Sequence, residues 1–173
     1  MLPSSIHTPF TRVALTCVLA ATAFSAAQAD GKRAVVPPLP KYQQECAACH
    51  IAFPPGMLPA SSWARMMGSL DKHYGADASL DEASVREISG WLKVHAGTYK
   101  RVSEEPPQDR ITKLSWFVRE HGKLDAPVWQ HASVKSAANC AACHTRAEQG
   151  DFNDSGLKFP VGLDARYRRA WSD

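Results

Sequence analysis

Two short clusters in this 173-residue chain hold residue types that can do chemistry together: Cys46-Ala47-Ala48-Cys49-His50 and Cys140-Ala141-Ala142-Cys143-His144. Both read C-x-x-C-H. Two thiols one helical turn apart can each form a thioether with one vinyl group of a haem, and the histidine that follows can present its imidazole to the iron. Each copy therefore predicts a covalently bound haem c, held by Cys46 and Cys49 at the first and by Cys140 and Cys143 at the second. His50 and His144 are the predicted proximal iron ligands. Three other chemistries use cysteine pairs. Zinc pairs usually lie ~15–20 residues apart, whereas 91 positions separate Cys49 from Cys140. Disulfides across C-x-x-C close very small loops and stabilise little. A thioredoxin-like pair belongs in a βαβ pattern, which the sequence lacks. None of the three explains a histidine after both pairs.

The fifth cysteine, Cys17, lies in a different kind of segment. Residues 1–29 carry no acidic group, place Arg12 before the apolar run that starts at Val13, and finish Ala27-Gln28-Ala29. That pattern predicts a cleaved signal peptide; the apolar run is too short for a spanning helix, which needs about 20 residues. Cleavage after Ala29 would leave 144 residues with four cysteines, all in the two motifs, and 19 basic against 17 acidic groups. The mature chain is expected to be soluble and periplasmic. A balance so near neutral gives no reason to expect nucleic acid. Four haem propionates would take the mature charge to about −2. Arg166, Arg168 and Arg169 form a basic patch, read first as a solvated tail.

The elements that must position the motifs read as helices, with no alternating run long enough for a strand. Ser61 or Ser62 is expected to cap a helix carrying Trp63, Met66, Met67 and Leu70 and ending at His73. Ser79-Leu80-Asp81-Glu82 reads as a capping box opening a helix through Val85, Ile88, Trp91 and Leu92 to His95, with Gly97 as C-cap. Asp109 is expected to cap a third helix through Ile111, Leu114, Phe117 and Val118 to His121. The aperiodic stretch 97–108 is the expected hinge, giving an N-terminal haem lobe over 30–105 and a C-terminal one over 106–173. His73, His95 and His121 thus each lie on an apolar face near a helix C-terminus. Geometry alone nominates all three as distal ligands for two irons, with His131 in reserve, although a histidine in a last turn also suits the helix dipole without any metal. Met57 is too close to His50 to reach the opposite haem face easily. Met66 and Met67 read as core filler, so bis-histidine coordination with low potentials is preferred.

Four stretches resemble the small dihaem cytochromes c of the DHC type. They run from Cys46 to Trp63 with Ala52-Phe53-Pro54-Pro55-Gly56-Met57 inside, from Leu70 through His73-Tyr74-Gly75-Ala76-Asp77 to Leu80, from Ile111 to His121 with Trp116-Phe117, and from Val134 through His144 to Phe152. They cover most of the mature chain in the same order. The resemblance implies an all-α, two-lobed c-type cytochrome with two covalently bound haems and long irregular connections. It selects His73 and His121 as the distal ligands and drops His95 and His131. Chain proximity pairs His50 with His73 and His144 with His121. The function implied is electron carriage by a monomer, from a membrane b-type cytochrome to a small oxygen-binding monohaem cytochrome. The rival class is an enzyme, either dihaem peroxidase-like or gas-binding, which needs one iron with an open position. The chain is short for a dihaem peroxidase and rich in histidine.

Overall fold

The computed structural model describes residues 36–98, 102 and 104–171. The expected leader, with His7 and Cys17, lies outside them. The fold is all-α: among the described residues five helices are joined by 3-10 segments and irregular connections, and the only β pairings are the isolated bridges His73 to Ala76 and His144 to Leu157.

Helix α1, Pro40–Cys46, begins on a proline, whose fixed φ suits a first turn, and turns Tyr42 into the core. It delivers Cys46 at its last position. Helix α2, Ala60–Met67, buries Trp63 and Met67. The Trp63 indole donates to the Pro55 carbonyl (2.8 Å), fixing α2 against the turn Pro55–Met57 that follows the first motif.

Two expectations for α2 need correction. Ser61 and Ser62 lie inside the helix, behind the N-cap Pro59, and Ser62 is fully buried. The helix also stops at Met67, short of His73. Gly68 is a poor helix former, and the Ser69 hydroxyl donates to the Arg65 carbonyl, occupying a terminal acceptor. His73 instead closes a separate 3-10 turn, Leu70–Lys72.

Helix α3, Glu82–His95, ends where the sequence indicates, but its cap is Asp81. That carboxylate accepts from the Ala83 and Ser84 amides, while the expected cap Ser79 donates its own amide to Asp77. Ile88 and Leu92 are fully buried on its inner face. Gly97 (φ 60°) takes the left-handed conformation that suits a helix end, and its amide donates to the Leu58 carbonyl at 2.8 Å.

The expected Asp109-capped helix is not continuous. It is a 3-10 turn, Ile111–Lys113, followed by α4, Ser115–Glu120. The reason is an electrostatic contact with a distant partner: both carboxylate oxygens of Asp109, at φ 53°, accept from the Arg65 guanidinium (2.6 and 3.0 Å), so that they do not cap the helix. Glu104 serves the new helix start, accepting from the Ser115 amide at 2.8 Å. Helix α5, Ala126–Gln130, buries Val128. Beyond it, the second motif is carried on short 3-10 turns.

One apolar cluster joins these elements. It contains Tyr42, Leu58, Trp63, Met67, Ile88, Leu92, Leu114 and Phe117, with Trp129 and Ala137 packed against it. Leu114 and Phe117 lie beyond the stretch expected to be the hinge. No described helix is long and apolar enough to cross a membrane.

Candidate haem sites

The first motif leaves α1 and turns at once, so Cys49 and His50 are exposed while Cys46 stays half-buried. His50 Nδ1 lies 2.7 Å from the carbonyl oxygen of Ile51, and its ring packs on Phe53 with centroids 5.3 Å apart. Phe53 is fixed in turn, because its carbonyl accepts from the buried Tyr42 hydroxyl at 2.6 Å.

His73 is brought to this motif by a sharp reversal. Tyr74 (φ 51°) and Gly75 (φ 100°) are both left-handed, and the Ala76 amide donates back to the His73 carbonyl. For tyrosine that conformation costs roughly 1–3 kcal/mol. It is held from outside: the Tyr74 hydroxyl donates to the Asp109 carbonyl at 2.9 Å, and the Arg110 guanidinium lies 4.2 Å above the ring. The outcome is that the His50 and His73 rings face each other, centroids 6.1 Å apart and planes 20° from parallel.

The second motif makes the same kind of pair by other means. His121 ends α4, with Nδ1 3.0 Å from the Phe117 carbonyl oxygen and its ring stacked on Phe117 at 4.0 Å. His144 follows the turn Cys140–Ala142 and is placed by the bridge to Leu157. The His121 and His144 centroids are 6.2 Å apart, with planes 67° apart.

Two imidazoles bound on opposite sides of one metal ion have a predictable spacing. With about 2.0–2.1 Å from each nitrogen to the metal and about 1.1 Å more to each ring centre, the centroids lie roughly 6.3 Å apart. Both pairs match that figure. A pair of imidazoles at this spacing fits a metal whose other ligands come from a macrocycle. Burial lowers the pKa of His73, His121 and His144, with a second contribution from the facing histidine at His73 and His144, and so favours the neutral ring that binds metal. Burial also pushes the Cys46 and Cys140 thiols up to about 11 and raises Cys143, the opposite of the low-pKa thiolate of a redox pair. Among the described residues, three buried side-chain nitrogens have no partner within the protein: His73 Nδ1, His144 Nδ1 and Trp116 Nε1. A group bearing acidic acceptors would satisfy donors of this kind.

The remaining histidines stand apart. His95 packs its ring on Trp91 (5.5 Å), and His131 Nδ1 meets the Ser133 hydroxyl at 2.8 Å. Among the described residues neither packs against a motif histidine. Met57 and Met67 are buried in the core. Phe117, read from sequence only as part of an apolar face, has a second role as the platform under His121; its i, i+4 spacing on α4 was the available signal. The carbonyl anchors at Ile51 and Phe117 have no side-chain signature.

Comparison with known proteins agrees with this geometry. The family model for dihaem cytochrome c (DHC) matches residues 42–152. The crystal structure of DHC from Rhodobacter sphaeroides is 42% identical, with a TM-score of 0.57, covering 66% of this chain and 97% of that one. The X-ray structure of the diheme cytochrome type c of Shewanella baltica OS155 is 31% identical, with a TM-score of 0.63, covering 73% of this chain and 96% of that one. No curated protein sequence matches. The chain belongs to the dihaem cytochrome c family, and with it come two c-type haems with their irons and a part in electron transfer.

Proposed function

We propose that the protein is a periplasmic carrier of single electrons, exported by a signal peptide over residues 1–29 and acting as a monomer without enzymatic turnover. Cys46 and Cys49 hold the first haem and Cys140 and Cys143 the second. His50 with His73 and His144 with His121 would supply the protein ligands to the two irons. The observation that carries this reading is the pair of opposed rings at each motif, 6.1 and 6.2 Å apart.

When bound, the haems supply one-electron Fe(III)/Fe(II) chemistry at low potential. The chain does the rest. Each motif histidine meets a second imidazole, which would fill the position that a peroxidase or a gas-binding site leaves open. The carbonyls of Ile51 and Phe117 orient one ring of each pair and raise its basicity, favouring the ferric state. Lobes over 30–105 and 106–173 would each carry one haem. Partners of the kind the family implies, a membrane b-type cytochrome as donor and a small oxygen-binding monohaem cytochrome as acceptor, would dock through small transient interfaces.

The test is an optical redox titration of the haem-loaded protein, followed by carbon monoxide on the reduced form. Two reversible one-electron waves without a carbon monoxide adduct are expected. A rapid adduct at either haem would refute the carrier reading in favour of an open iron.

A further inference from the structure

The two ring pairs match in spacing but differ in orientation. The His50 and His73 planes lie 20° apart, whereas those of His121 and His144 lie 67° apart. Ring rotation is restrained differently at the two sites. His121 is stacked on Phe117 at 4.0 Å and 17°, and its Nδ1 is tied to the Phe117 carbonyl. Phe117 cannot yield, being 7% exposed and set edge-on against Trp116. His73, by contrast, meets Tyr74 edge-on at 63°, and among the described residues no ring is stacked on it as closely as Phe117 is on His121. At the first site the anchored ring is His50, through Ile51.

We propose that Phe117 is a positioning residue that holds His121 across the plane of His144, making the two haem irons electronically distinct: a near-parallel ligand pair at the first motif and a crossed pair at the second. This rests on the bis-histidine reading above. Each imidazole raises the iron d orbital that overlaps its own π system. Rings in parallel planes act on the same orbital and separate it from its partner; crossed rings act on both and leave them nearly equal. The net effect falls as the cosine of the interplanar angle. The first pair thus keeps almost all of the maximum separation, and the second keeps less than half. An electron vacancy at the first iron is then confined to one direction in the haem plane, and at the second it is shared between two. Electron exchange at the first site is directional, while exchange at the second tolerates partners at more than one edge.

Low-temperature electron paramagnetic resonance of the fully oxidised, fully haem-loaded protein reads this directly. The expected spectrum has two low-spin components of equal spin: one fully resolved rhombic signal, and one broad feature at distinctly higher g from the crossed pair. In Phe117→Leu the high-g feature should move towards the rhombic signal while the other component stays unchanged. Phe117→Tyr, which keeps the stack, should retain the wild-type spectrum, as should Phe53→Leu for the high-g feature. Two rhombic signals in the wild type overturn the inference and leave the carrier reading standing, since both irons are then still low-spin. An unchanged high-g feature in a folded, fully loaded Phe117→Leu overturns the role of Phe117. A high-spin signal in the wild type instead overturns the bis-histidine reading on which the inference rests. Should Phe117→Leu fail to load haem, Phe117→Met, which keeps the volume without a flat ring, carries the same two outcomes.

Discussion

Replacing Tyr42 by Phe deletes a single hydroxyl, and the consequence can be followed from core to haem site. Tyr42 is 3% exposed, its hydroxyl donates to the Phe53 carbonyl at 2.6 Å, and its ring packs on Trp91 at 4.8 Å. Burial pushes the phenol far above its ordinary range, so it remains a donor wherever the protein is folded. The variant keeps the ring packing and loses the bond, leaving a partly buried carbonyl without its donor. That costs about 1–3 kcal/mol. For a chain of this size it lowers the melting temperature by about 3–10 °C. The effect should also reach the first site, because Phe53 lies against the His50 ring. Thermal unfolding followed by circular dichroism reads the first consequence, and an optical redox titration reads the second as a shift of one potential only. A melting temperature within about 1 °C of wild type would refute the energetic reasoning. Equal shifts of both potentials would refute the local one.

Three further outcomes follow from the same geometry. Ile88→Ala opens a cavity at a fully buried position on α3 and should cost about 2–5 kcal/mol, read as a lower urea midpoint. Hydrogen bonds from Arg65 hold the Asp109 carboxylate below its usual range. Its contribution is therefore fully present above the ordinary carboxylate pKa and is lost as pH falls through the lowered value; the urea midpoint should drop on acidification, and Arg65→Met should drop less. His73→Ala should turn one haem high-spin and able to bind carbon monoxide, whereas His95→Ala should leave both low-spin in the optical spectrum.

The motifs were legible because covalent haem attachment requires a fixed local spacing, so Cys46 to His50 and Cys140 to His144 can be read without any fold. Helix α3 was legible too: its apolar positions recur at helical spacing, and an acidic residue stands at its start. What failed was helix continuity. Gly68 and Ser69 break the segment that sequence periodicity carries on to His73, and Asp109 abandons its capping role for Arg65, a partner 44 positions away. Such choices depend on tertiary neighbours that periodicity cannot contain. The candidate distal histidines could only be narrowed to His73, His95 and His121 from the residues, because each follows an apolar residue by three or four positions. Three-dimensional placement separates them: two rings face motif histidines and the third lies on Trp91. The plane angles had no trace in the sequence, since they depend on a carbonyl and a stacked ring.

The central claim is that each iron lies between two imidazoles. Near-infrared magnetic circular dichroism of the oxidised, haem-loaded protein tests it most directly, because the ligand-to-iron charge-transfer band differs between imidazole–imidazole, imidazole–thioether and high-spin haem. Both haems should give the imidazole–imidazole band, with intensity for two irons per chain. An imidazole–thioether or high-spin band from either haem would contradict the pairing of His50 with His73 and of His144 with His121.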